Sequence, residues 1–270
     1  MKIVLIQQHA TTNKKDNLER GLTALKEAAA NGAKLACYAE LAFEPFYPQK
    51  LPTDDIRELA EPVPGPTTEA FMAEAKRLGT VVVLNLFELD GDKTYDCSPV
   101  IDADGSLIGK TRMVHVCEYE GFHEQHYYTQ GNLGAPVFDT ACGRIGIAIC
   151  YDRHYPEYMR ALKLNGAELV IVPQAGAVGE WPEGLYEAEM RVAAFQNGYF
   201  TALCNRVGKE PSLTFSGESF VCDPKGRVIA KAATGRDEIL YCDISLDQIP
   251  GSPAELNFLH DLRPEDIGGW

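Results

Sequence analysis

Apolar residues along this chain keep two rhythms, every second position and every third or fourth, and the two take turns. KIVLIQQ (2–8) alternates as a strand does, and 17–31 spaces Leu18, Leu22, Leu25 and Ala29 as one helical face until Gly32 stops it. KLACYAE is a second strand ending at Glu40, and the aromatic, proline-rich FEPFYPQKLP after it reads as a loop able to wall a pocket. Thr67 caps a helix that runs to Leu78 and closes at Gly79. TVVVLNLFEL is then one central strand. YDCSPVID and SLIGKTR form a hairpin turning at Asp104-Gly105, with Lys110 at the end of its second strand.

The rhythm fails between 113 and 133, where His115, Glu118, Glu120, His123, Glu124 and His126 follow no period. A long irregular segment inside a compact domain is usually functional or mobile. It resumes at GRIGIAICYDRHYPE, in which Ile145, Ile147 and Ile149 alternate into a polar turn and Pro156 opens a helix to Asn165. ELVIVP, a loop QAGAVGEWPE, a helix over 184–197 and four further strands complete the pattern, with a turn at 223–226. Residues 250–270 read as an extended tail. Helices alternating with strands, joined by antiparallel hairpins and broken by no linker or repeat, predict one α/β domain over 1–270 with mixed sheets covered by helices.

Composition narrows the partners. A chain of 270 residues, 45% hydrophobic and 24% charged, can bury a full core without disulfides. A net charge of −14 disfavours nucleic acid and anionic membranes, and no apolar run is long enough to span a bilayer. The eight cysteines are scattered without a C-x-x-C pair, which fits a reducing, cytoplasmic setting in which a thiol can serve as nucleophile.

Glu40, Lys110 and Cys150 each close an expected strand, and parallel strands of one sheet end on one side. Meeting there, they would supply a base, a cation for a developing oxyanion and a thiol nucleophile. Taken singly each has a plain reading as well: an exposed acid, a solvated lysine, a buried small hydrophobe.

The stretches YAELAF, IGKTRMVH, FHEQHYYTQG and GIAICYDRHYPEYMRAL together resemble the nitrilase superfamily of carbon–nitrogen hydrolases, and the likeness runs along nearly the whole chain. The resemblance implies a four-layer αββα sandwich, assembly as homodimers or higher homo-oligomers, and no metal or organic cofactor. It implies a triad of Glu40, Lys110 and Cys150, with Glu124 as a supporting acid and the Tyr151 N–H as an oxyanion donor. The implied chemistry is attack of the cysteine on an amide, nitrile or N-carbamoyl carbon, loss of an amine or ammonia, and hydrolysis of the thioester by water.

CYDRH followed by proline resembles the ureidopropionase-like members, in which an arginine at the position of Arg153 implies pairing with a substrate carboxylate. The expected substrate is therefore an N-carbamoyl amino acid such as N-carbamoyl-β-alanine, with a general aliphatic amidase or nitrilase as the alternative. The second arginine of the D-amino-acid carbamoylases is His154 here, and an ion pair of Arg153 with Asp152 or Glu157 is the competing expectation. Three rivals stand beside this reading: a papain-like pairing of Cys150 with His154, His123 or His126, a metal at His123-x-x-His126, and a scaffold with an inert thiol.

Overall fold

The computed structural model describes residues 1–263 and 266. The first sheet opens with β1 (Lys2–Gln7), β2 (Leu35–Tyr38), β3 (Val81–Val83), β4 (Leu86–Asp90), β5 (Lys93–Ile101) and β6 (Leu107–Arg112). The second takes β7 (Val137–Thr140), β8 (Gly143–Ile147), β9 (Leu169–Gln174) and β10 (Phe200–Asn205). A hairpin of β11 (Val207–Lys209) and β12 (Thr214–Ser216) stands apart. β13 (Phe220–Cys222) and β14 (Val228–Lys231) finish the second sheet, and β15 (Glu238–Asp243) returns to the first. Each sheet has a parallel centre, β1-β2-β3 in one and β8-β9-β10 in the other, with antiparallel strands outside it.

Alternation along the strands builds the layers, because successive side chains point to opposite faces. Ile3, Leu5, Cys37, Val81 and Val83 face the second sheet and meet Ile145, Ile147, Leu169, Ile171 and Cys204. Val4, Ile6, Ala36, Tyr38 and Val82 face outward beneath Leu25 of α1 (Lys14–Ala30) and Phe71 of α2 (Pro66–Leu78). On the far side, Val170, Val172 and Leu203 lie beneath Met159 and Leu162 of α3 (Pro156–Leu164) and Met190 of α4 (Leu185–Asn197). The architecture is the expected four-layer αββα sandwich with mixed sheets. Among the described residues no helix is long and apolar enough to cross a membrane. All eight cysteines are buried thiols.

Several expectations change: α2 is capped at Gly65, not Thr67, and among the described residues six strands, not four, follow α4. The expected single strand TVVVLNLFEL breaks into β3 and β4 at Leu84-Asn85, because the Asn85 amide leaves the sheet to bond Asp96 and Ser98. The hairpin's second strand does not end at Lys110 but runs on to Arg112. The tail is not extended where it is described: Ala254–Phe258 forms a π-helical turn, and part of the expected tail lies outside the described residues.

Candidate active site

Two strand ends from different sheets make the site. β2 runs out through Ala39 to Glu40, and the next residue, Leu41, turns the chain with a left-handed φ of 44° while its N–H donates to Asn85 Oδ1 at 2.8 Å. β8 runs out through Ala148 and Ile149 to Cys150, which has a left-handed φ of 43° and starts a 3-10 turn over Cys150–His154. Neither residue is glycine, so each conformation costs about 1–3 kcal/mol and persists only because its surroundings enforce it. Arg206, buried just past the end of β10, helps to do so by donating to the Glu40 carbonyl at 2.9 Å. The segment after β6 is tied to the Cys150 turn by Asp152, whose carboxylate accepts from the His115 N–H at 2.9 Å.

The structure brings Glu40, Glu124 and Cys150 together. One carboxylate oxygen from each acid and the thiol sulfur lie within 4.8 Å of one another, close enough to share a proton or a small cation. Both acids are 0% exposed. Neither Glu40 oxygen accepts a conventional hydrogen bond; facing it are the Cys150 thiol and the carboxyls of Asp96 and Glu124. Glu124 Oε2 accepts from the Cys117 N–H at 3.2 Å, whereas its Oε1 has no partner. Burial, then the charges of Asp96 and Glu124, push Glu40 well above the usual carboxylate range. Burial raises Glu124 to about 8 against a counteracting hydrogen bond from Cys117. Burial followed by Glu40 and Glu124 holds the Cys150 thiol well above its ordinary value, with Arg153 acting in the opposite sense. Like charges crowded in a dry volume cannot all ionise.

Asp96 is a member of this group that sequence reasoning missed, since it reads as one polar residue in an ordinary strand. It is buried on β5, with Oδ1 fixed by Asn85 Nδ2 at 2.5 Å and Oδ2 left unbonded. Burial raises it to about 7 despite the hydrogen bond from Asn85 and the proximity of Glu40, which pull it down.

Lys110 is not part of the site. Its ammonium bonds Glu88 Oε1 and the Val63 carbonyl, and Arg112 bonds the same Glu88 at 2.7 Å. Alternation on β6 is the reason: Lys110 and Arg112 share one face, and Thr111 and Met113 the other. The register Cys97↔Arg112 continues to Asp96 opposite Met113, whose N–H donates to the Asp96 carbonyl at 3.0 Å. Cross-strand partners share a face. The side chain that continues this face just past the end of β6 is therefore an apolar one, Met113, buried in the same cluster as Cys150, Cys117 and Tyr128.

Arg153 is buried and does not pair with Asp152 or Glu157. It donates to the Cys150 carbonyl and to Gln174 Oε1, each at 2.8 Å, lies 3.3 Å from Glu189 and stacks over Tyr186. Its second amino group, Nη2, has no partner. Four histidines near the site each face a carboxylate: His154 meets Glu189 at 2.6 Å, His115 meets Asp152 at 2.7 Å, and His123 and His126 both face Glu118. Tyr151 follows Cys150 in the first turn of the 3-10 segment, where backbone N–H groups lack an intrahelical partner. Glu180 accepts from Tyr119 at 2.6 Å and Tyr186 at 2.5 Å, and its charge also acts on Cys150.

Known proteins share this frame. Residues 2–252 match the family described as carbon-nitrogen hydrolase. The chain is 33% identical to an N-carbamoylputrescine amidase of Arabidopsis thaliana over 255 residues, 89% of this chain and 85% of that one. It is 38% identical over 188 residues to a beta-ureidopropionase of the same plant, covering 68% of this chain and 45% of that longer one. In three dimensions it matches a carbon-nitrogen hydrolase from Helicobacter pylori G27 with a TM-score of 0.91 and 28% identity, over 98% of this chain and 96% of the other. The family match covers both sheets and the strand ends that carry Glu40 and Cys150, and on it the chain belongs to the carbon–nitrogen hydrolases, as an enzyme of that family.

Proposed function

We propose that this enzyme hydrolyses a small N-carbamoyl amino acid, such as N-carbamoyl-β-alanine, through a thioester on Cys150. The reading rests chiefly on the meeting of Cys150 with Glu40 at two strand ends. Glu40 takes the thiol proton as sulfur attacks the carbonyl carbon, which suits a thiol that burial keeps protonated at rest. The same proton then goes to the departing nitrogen. Water attacks the thioester, giving its proton to Glu40, and the sulfur leaves and is reprotonated. The Tyr151 N–H faces the oxygen that becomes negative. Buried free cysteines support the expected reducing, cytoplasmic setting. Exposed Val192, Phe195, Leu256 and Phe258 on the outer layer support a homo-oligomer.

Arg153 supports the carboxylated substrate, because its unpartnered amino group can pair with a carboxylate near the sulfur. The relatives above include enzymes named for N-carbamoylputrescine and for ureidopropionate. Glu180 favours a second reading, an amine-bearing carbamoyl compound, since its carboxylate acts on Cys150. Ammonia release from N-carbamoyl-β-alanine, N-carbamoylputrescine and propionamide decides between them. We expect the carboxylated compound to be the best substrate and Cys150→Ala and Cys150→Ser to fall to background. Arg153→Ala raises KM for the carboxylated substrate about tenfold or more, the scale of one lost charge-assisted pair, and leaves the amide unaffected. Residual turnover by either cysteine variant removes the nucleophile assignment, and preference for the amine-bearing substrate removes the role of Arg153.

A further inference from the structure

The site holds four acidic groups, Glu40, Asp96, Glu124 and Cys150, and its surroundings aim no ammonium at them. Lys110 is engaged by Glu88, and Met113 fills the matching side just past the end of β6. Arg153, the nearby guanidinium, turns Nε and Nη1 to Glu189, Gln174 and the Cys150 carbonyl, and its free Nη2 is the group assigned above to the substrate carboxylate. Attack of sulfur on a carbonyl nevertheless creates a negative oxygen, and one backbone N–H is half of what such an oxygen ordinarily receives.

We propose that the neutral carboxyl of Glu124 supplies the second hydrogen bond to this oxygen, with Oε1 carrying the donated proton. The inference rests on the cysteine-hydrolase reading and gives the supporting acid Glu124 a defined role within it. Geometry fixes which oxygen is which. Oε2 accepts from the Cys117 N–H and so behaves as the carbonyl oxygen, while Oε1 is buried and unbonded, and one oxygen of this carboxyl lies within 4.8 Å of the sulfur. Until substrate arrives, the Oε1 proton has no acceptor. Burial comes first in favouring the neutral form, and the carboxyls of Asp96 from β5, Glu40 beyond β2 and Glu180 from the loop before α4 act the same way, whereas the thiol and N–H of Cys117 act against it; the Cys150 thiol also faces the group. Tyr128 and Tyr151, also buried or half-buried nearby, offer no positive charge. Burial accordingly keeps Glu124 protonated at neutral pH, up to about 8.

The electrons and protons balance. Sulfur forms its bond to carbon as its proton passes to Glu40, and the C=O π pair moves to oxygen, which accepts the Glu124 O–H hydrogen bond without taking the proton. Collapse restores the C=O bond, breaks C–N and delivers the Glu40 proton to nitrogen. Glu124 ends each half-reaction as it began.

The test compares Glu124→Gln with Glu124→Ala in steady-state kinetics on the best carbamoyl or amide substrate. Glutamine keeps an acceptor for the Cys117 N–H and places an N–H donor where Oε1–H stood. Alanine lowers turnover on the order of 10²–10³, as loss of one oxyanion donor does, and glutamine restores at least tenfold of that loss. Native turnover falls as pH rises through about 8, where Glu124 ionises and its donor is lost; in Glu124→Gln that decline disappears. Thermal unfolding and alkylation of Cys150 confirm that both variants fold. Glutamine as damaging as alanine overturns the proposal, as does native turnover that climbs steadily through pH 9. Loss of native activity on chelation also overturns it, by giving the charge to a bound cation. Absence of any cysteine-dependent hydrolysis by the native enzyme is a separate result, and it removes the hydrolase reading instead.

Discussion

Glu88 and Glu40 are both buried glutamates of the first sheet's neighbourhood, and they live in opposite electrical surroundings. Glu88 takes an ammonium from Lys110 and a two-pronged guanidinium from Arg112, so that hydrogen bonds overcome the burial that pushes it up and hold it below the usual carboxylate value. Glu40 has no donor on either oxygen and faces two more carboxyls and a thiol, so burial and like charge raise it. The chain spends its β6 cations on the first and keeps them from the second. The first arrangement holds structure together, and the second keeps protons available for chemistry.

Opposite shifts give opposite pH dependence. A carboxyl depressed in the folded state stabilises it above the unfolded pKa and loses that contribution as pH falls; this is Glu88. A carboxyl raised in the folded state favours folding at low pH and loses that contribution as pH rises through its folded value, about 7 for Asp96 and about 8 for Glu124.

The comparison breaks most visibly at Glu88. Glu88→Gln leaves Arg112, a nearly buried guanidinium, with Asp90 as its one carboxylate partner among the described residues, and should cost about 3 kcal/mol, near the lower end for a broken buried ion pair. Denaturant unfolding reads this directly, and a loss below about 1 kcal/mol would make the cluster a surface ornament. Met113→Lys makes the two regions alike by adding an ammonium opposite Asp96. A nearby positive charge favours ionised carboxylates, so the alkaline decline in turnover should move to lower pH or vanish as the new cation takes over the oxygen. An unchanged pH profile would show that position 113 does not face the acids. The smallest effect belongs to Lys110→Ala. Turnover should stay within about twofold and stability within about 1 kcal/mol, because Arg112 still serves Glu88 and the lysine is partly exposed. A hundredfold fall in turnover would return Lys110 to the site.

The strands, the four helices and the two strand ends at Glu40 and Cys150 were legible because alternation and helical spacing are local signals, whereas the pairing of two sheets came from the family resemblance. Glu40 and Cys150 each close a buried run, and the parallel centres of the sheets bring those ends together. Lys110 misled for a physical reason. A strand's last residue and the face it presents depend on register with its neighbour, and two more paired residues past Lys110 turn its ammonium toward Glu88. Asp96 and Asn85 were illegible because their meaning is tertiary: one faces acids from another strand, and the other breaks an apolar run to hold Leu41. The arginine after the nucleophile was found, but not Glu189, its partner from α4.

Arg206 reaches from just past the end of β10 in the second sheet to the carbonyls of Glu40, Leu41 and Glu44, beyond the end of β2 in the first. The proposed base and the proposed nucleophile, Glu40 and Cys150, thus belong to separate halves of the sandwich, and this guanidinium is a rivet between them. An enzyme built so has a safety catch: when the halves part, thiol and base part with them, and what remains is a quiet cysteine instead of a reactive one. Nor can either half be shortened into a working catalyst, since each carries only one member of the reacting pair.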